Sequence, residues 1–359
     1  MNNRERFLKT MHFEKVDHPP FFMDGPWPDT YERWYKEGYP KGVDLADFLG
    51  VESLKMKHLG IDTFLIPPME EKIEYEDDKI IIKTDHFGVK EKRFKDHTSM
   101  PEWLDHTIKV ERDMLNLLER FNPDLKRRYP PNYDELLRQW KTEDDCVAVA
   151  GGASYYGILR NMLGVENFSL MLYDSPGTVK KWNEAYHRVI MTVLEKHFSE
   201  GRVDYVSGGE DLAYKTSSLI SPEMYREFIL PYHKDISRLA RQHGCDLFFF
   251  DSDGNINELL PHFIEGGINI LYPVECAADM NPVAIRKKYG KQICMIGGID
   301  KREIAKGKEA IKREVFTKVT PLIEEGGFIP RIDHSVSADI SLDNFVFYIS
   351  LLKEIYGIK

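Results

Sequence analysis

Leu247-Phe248-Phe249-Phe250-Asp251-Ser252-Asp253-Gly254-Asn255 is the stretch that decides the fold. An apolar run breaks off into two carboxylates and a glycine turn. Runs of this length, bounded by turn residues, read as buried strands. Four more runs repeat the pattern: residues 203–209 before Glu210-Asp211, 268–274 before Glu275, 293–298 before Asp300, and 328–332 before Asp333-His334. Helix-length segments separate them, so the spacing predicts βα units and a parallel sheet. In a parallel barrel the carboxyl ends of the strands share one face, where such enzymes hold their chemistry. The pattern therefore predicts a fold and a site together.

The 359 residues suffice for one large barrel with additions. With 42% hydrophobic and 30% charged residues, the chain reads as globular and not disordered. A net charge of −10 argues against a nucleic-acid or anionic-membrane partner. No apolar run approaches the ~20 residues of a membrane span. The first residues read as a charged amphipathic helix and not as a leader. Cys146, Cys245, Cys276 and Cys294 form no C-x-x-C pair. Free, mostly buried thiols in a reducing cytoplasm are the expectation.

Working outward, residues 3–11 read as a helix, and Phe21-Phe22-Met23 reads as a first barrel strand ending at Asp24. Residues 29–37 look helical, with Tyr31, Trp34 and Tyr35 on a stripe. Residues 71–96 break the rhythm: three β-rich pieces joined at Asp77-Asp78 and His86-Phe87-Gly88 predict a small antiparallel insertion. The segment 146–150 reads as another buried strand, followed by a loop that includes Tyr155. Later helices are expected near 176–200, 222–243, 255–264, 281–289, 307–325 and 341–355. Ser221-Pro222 is a helix start, with the serine as N-cap and the proline at the first helical position. The fold class is thus α/β, a (βα)8 TIM barrel of one domain, 1–359, with an N-terminal helical extension and the insertion. The chain has no glycine-rich dinucleotide or phosphate-binding fingerprint, which weakens a doubly wound sheet.

The strand tips carry the candidate chemistry. One cap position takes one side chain, so helix capping does not account for both Asp251 and Asp253. Glu275 closes a very apolar run, and such a carboxylate is ion-paired, metal-bound or a proton-transfer group. With His334, Asp253 and Glu275 form either a ligand set for a divalent metal such as zinc or an acid/base set. Sequence spacing does not separate these. Glu275, Asp251 and Glu210 are the catalytic candidates; Asp24, Trp27, Asp211, Tyr214 and Tyr155 are the substrate-binding candidates. No G-x-S-x-G or H-E-x-x-H element supports serine or zincin chemistry.

Several stretches together resemble the uroporphyrinogen decarboxylase superfamily over nearly the whole chain. They are Arg4-Glu5-Arg6-Phe7-Leu8 with His18-Pro19-Pro20, Ser221-Pro222-Glu223-Met224-Tyr225-Arg226-Glu227-Phe228 with Pro231-Tyr232, Asp253-Gly254-Asn255, and Met295-Ile296-Gly297-Gly298-Ile299-Asp300. The resemblance implies a (βα)8 barrel. Decarboxylases of that superfamily carry an arginine-rich segment after the first strand. Here Met23-Asp24-Gly25-Pro26-Trp27-Pro28-Asp29 holds no arginine, and its acids disfavour an acid-rich tetrapyrrole.

The chain is similar to the cobamide-dependent methyltransferase branch in its early β-rich insertion followed by Thr98-Ser99-Met100-Pro101. Members acting on coenzyme M hold zinc with an H-x-C-G element and a later cysteine. Asp251-Ser252-Asp253-Gly254 aligns with that element, and His334 falls near the later cysteine. Oxygen and imidazole donors form a harder site, suited to an oxygen or nitrogen substrate. The resemblance thus implies methyl transfer between a small O- or N-methylated substrate and a corrinoid carrier protein, with the corrinoid on that partner and zinc as the metal. It also allows a homodimer. A decarboxylase of another carboxylic acid is the first alternative. A non-catalytic tetrapyrrole or small-ligand binder is the second.

Overall fold

Among the described residues seven strands pair side by side in one parallel sheet, in chain order apart from an antiparallel sheet inserted after the first. The computed structural model describes residues 1–23 and 25–358. Strand β1 is Met56–His58. The antiparallel sheet follows as β2 (Lys72–Glu76), β3 (Ile80–Thr84), β4 (Lys90–Phe94) and β5 (Glu102–Asp105). The parallel sheet resumes with β6 (Val147–Ala153), β7 (Tyr205–Gly209), β8 (Phe248–Asp251), β9 (Ile270–Tyr272), β10 (Cys294–Ile299) and β11 (Phe328–Ile332).

The expected insertion is present but larger than residues 71–96. Its fourth strand, β5, begins after Pro101 and reaches Asp105. The expected first strand, Phe21-Phe22-Met23, is reduced among the described residues to one parallel bridge, Phe21 to Ser53, just before β1. The aromatic ring of Phe22 nevertheless lies 6.2 Å from that of Tyr272 on β9 and 5.2 Å from the Arg331 guanidinium on β11. The sheet therefore curls until the two ends of its strand order approach each other.

Alternation along the strands sorts residues to two faces. Val147, Val149, Tyr205, Ile270, Cys294, Ile296 and Ile329 pack together on the concave side, and Phe7 and Met11 from the helix Asn3–Met11 join them. Their neighbours Ala148, Val206, Phe248, Phe250, Met295 and Phe328 join the larger core under the helices. Asp251 lies two residues after inward-packed Phe249, at the carboxyl end of β8, and so shares its face.

Most helices match their sequence signals. Ser221 Oγ accepts the Met224 amide, and Pro222 opens the helix. The expected single helix over 222–243 is two, Pro222–Phe228 and Leu230–Gln242. Pro231 lacks the amide that a continuous helix would need there. Helix 255–264 is instead Leu260–Gly266. At Gly297 (φ 114°) a Cβ would lie 1.8 Å from the Pro273 carbonyl oxygen. Only glycine lets β10 pass so close to the turn that presents Glu275.

Candidate active site

Three strand ends bring Asp253, Glu275 and His334 together. Each offers a ligand atom, and these atoms all lie within 4.8 Å of one another. His334 Nε2 is 3.7 Å from Asp253 Oδ1. The Gly254 amide donates to Glu275 Oε2 at 2.7 Å, which fixes the other side of the carboxylate. Gly254 (φ 84°) permits this turn, because a Cβ there would meet the Ala213 carbonyl group at 2.6 Å.

The electrostatics suit a cation. Partial burial raises the Asp253 carboxyl above its usual range; Asp211 and Glu275 add to this, and His334 opposes it. Burial pulls the His334 imidazole down, but Asp333 and Asp253 outweigh it, so its pKa lies above the usual value. Burial pushes Asp251 up to about 7, with Asp253 and Asp211 contributing. Crowded carboxylates bind protons or metal to relieve their repulsion. Two carboxylate oxygens and one imidazole form a hard donor set that accepts zinc or a similar divalent ion and leaves a position open. Tetrahedral zinc with bonds of ~2.0–2.1 Å separates its ligand atoms by roughly 3.3 Å. From separations of at most 4.8 Å, the three side chains reach that spacing with a contraction of at most about 1.5 Å, within the reach of side-chain rotation, so they fit the ion.

Asp251 stands at the edge of a cavity of about 400 Å³. Aromatic rings of Phe64 and Phe87, 4.8 Å apart, form one wall. The antiparallel sheet supplies Phe87 from the turn between β3 and β4. Asp85 holds that turn by accepting the amides of Phe87 and Val89, each at 2.9 Å. Arg160 and Asp211 also line the cavity. Arg160 donates to the Asp211 carbonyl and carboxylate, both at 3.0 Å, and the positive φ of Asp211 (46°) turns both groups toward it. Asp211 is thus spent on Arg160.

Glu210 also lines this cavity, but its carboxylate is occupied. It accepts the amides of Tyr155 and Tyr156 at 2.6 Å and of Gly157 at 2.8 Å, and the Ser154 hydroxyl at 3.3 Å. Burial pushes it up to about 7 even so, against those hydrogen bonds. His233, fully buried, keeps Nε2 without a hydrogen-bond partner among the described residues, 3.8 Å from Glu210 Oε1.

Tyr155 is 1% exposed, stacks on Tyr232 and hydrogen-bonds His187 Nδ1 at 2.7 Å, so its ring serves the core away from the mouth. The Tyr214 ring points outward, 52% exposed, while its carbonyl accepts the Asn255 amide. Trp27 is 36% exposed and donates its amide to Val336, beyond His334. Asp24 lies outside the described residues.

Three features near the cluster were given no role from the sequence. Asp333, 1% exposed, accepts the Cys276 amide at 2.8 Å and the Lys301 amide at 3.2 Å. Arg331, buried on β11, stacks over Phe22 and Tyr272. The Phe64 and Phe87 wall had no signal beyond its turn residues. All four cysteines are free, and no described helix is long and apolar enough to cross a membrane.

A family model described as uroporphyrinogen decarboxylase (URO-D) matches residues 85–355. A methylated-thiol–coenzyme M methyltransferase of Methanosarcina mazei is 26% identical over 204 residues, 55% of this chain and 51% of that protein. The chain thus spans about half the length of this curated relative. A solved structure of a methyltransferase from Methanosarcina mazei superposes with a TM-score of 0.63 at 16% identity, covering 99% of each chain. That likeness is one of fold.

Proposed function

The chain belongs to the uroporphyrinogen decarboxylase (URO-D) family, and within it we propose that it is a methyltransferase. It would move a methyl group between a small O- or N-methylated substrate and a corrinoid carrier protein. The methyltransferase names of its relatives support the reaction type. The observation that carries the reading is the meeting of Asp253, Glu275 and His334, with Asp251 interacting with Asp253 and His334 on one side and lining a cavity of about 400 Å³ on the other. The matching fold reading is a closed (βα)8 barrel in one domain, with Phe21–Met23 as the strand that completes it.

Breaking a C–O or C–N bond leaves charge on the departing oxygen or nitrogen. Asp253, Glu275 and His334 would hold a divalent ion, which when bound would supply a Lewis acid for that atom. The residues of the chain do the rest. Asp251, with a pKa near 7, can deliver a proton to the departing group from the cavity edge. Phe64 and Phe87 hold the apolar part of the substrate and exclude water. A reduced corrinoid on the carrier would supply the nucleophile, so the chain would need none.

Decarboxylation fits less well. Asp211, Asp251, Asp253 and Glu275 crowd the mouth, and the Arg160 charge is matched by Asp211. A carboxylate-rich substrate meets repulsion there. The test is incubation with a panel of O- and N-methylated donors and reduced corrinoid protein. Methylcobalamin absorbance should grow with at least one donor; none with a broad panel overturns the reading.

A further inference from the structure

We infer that Asp333 is a positioning residue that holds Glu275 and His334 in place for the ion, an inference that rests on the metal reading above. Its carboxylate is buried at the end of β11 and joins three strand tips. Oδ2 accepts the amide of Cys276, the residue after Glu275, at 2.8 Å. Oδ1 accepts the amide of Lys301, beyond the tip of β10, at 3.2 Å. The Asp333 amide donates to the Ile299 carbonyl at 2.9 Å.

The imidazole of His334 is placed between two carboxylates. Nε2 faces Asp253, while Nδ1 lies 3.8 Å from Asp333 Oδ1. Nδ1 is buried and makes no hydrogen bond among the described residues. A small ring rotation brings it within reach of Oδ1. That contact fixes the tautomer with hydrogen on Nδ1 and leaves the Nε2 lone pair for the ion, an arrangement that raises ligand basicity. One carboxylate thereby sets both a ligand backbone and a ligand ring.

The experiment is titration of zinc ion into the full chain by calorimetry, for wild type and Asp333→Asn. Losing such a partner weakens metal binding by about 10–100-fold. A change smaller than about threefold overturns the inference and leaves the metal reading intact. Absence of zinc binding by wild type overturns both. Should Asp333→Asn not fold, nitrogen-15 NMR of histidine-labelled, zinc-loaded wild type decides. His334, identified by the peak lost in His334→Ala, should carry a proton on Nδ1 and metal on Nε2. The reverse tautomer overturns the inference, and a merely structural Asp333 would not impose either.

Discussion

Replacing Glu210 with glutamine separates a structural carboxylate from a catalytic one, and its effect depends on pH. Glutamine keeps one acceptor oxygen for the Tyr156 and Gly157 amides. Its NH2 group then replaces the oxygen that receives the Tyr155 amide at 2.6 Å, setting donor against donor. One buried amide left without an acceptor costs about 1–3 kcal/mol. Against this stands the burial of the Glu210 charge. Its carboxyl is raised from 4.5 to about 7. At ~1.4 kcal/mol per pH unit, ionising it in the fold costs about 3 kcal/mol more than in the unfolded chain.

The sign follows from proton counts. Below pH 4.5 both states carry the proton, and wild type has its full advantage. Between 4.5 and about 7 the unfolded chain ionises first, so the advantage falls. Above 7 it is lost. Urea midpoints of wild type and Glu210→Gln should therefore differ most near pH 5, with wild type more stable. The difference should shrink by about 3 kcal/mol near pH 8 or reverse. Comparing the two proteins at each pH cancels the other titrating groups. A difference that stays constant from pH 5 to 8 would refute the reasoning, because the amide cluster would then keep Glu210 ionised throughout.

Asp251→Asn should behave in the opposite way. It removes a carboxyl that repels Asp253 and Asp211, so the urea midpoint should hold or rise, while methyl transfer falls about 100-fold or more. Full activity would remove Asp251 from the chemistry. Gly297→Ala should cost more than ~4 kcal/mol, or prevent folding, since its Cβ would overlap the Pro273 oxygen. A midpoint within 1 kcal/mol of wild type, compared by the same melt, would mean that this crossing is loose. Phe87→Ala should weaken substrate binding several-fold without changing bound metal, since the ring walls the cavity and lies outside the ligand cluster; loss of metal would contradict that separation.

The apolar runs before Asp251, Glu275 and His334 were legible because buried parallel strands are hydrophobic on both faces. Strand β1 was not legible, since Met56-Lys57-His58 is short and mixed in polarity. Strand β5 hid behind Pro101 and is exposed along its whole length. Asp253, Glu275 and His334 could be read individually because each follows the end of a strand. Asp333 was visible as a residue but not as a role, because its donors, Cys276 and Lys301, come from distant sequence. The partners of Glu210 and Tyr155 were hidden for the same reason: backbone amides hold the Glu210 carboxylate at the cavity wall, and Tyr232 stacks on Tyr155.

The most direct test is the metal content of the purified full chain after incubation with zinc and removal of loose ion. The account predicts about one equivalent in wild type and nearly none in His334→Ala or Glu275→Gln, with both variants still folded. Equal zinc in all three proteins, or none in wild type, would contradict it.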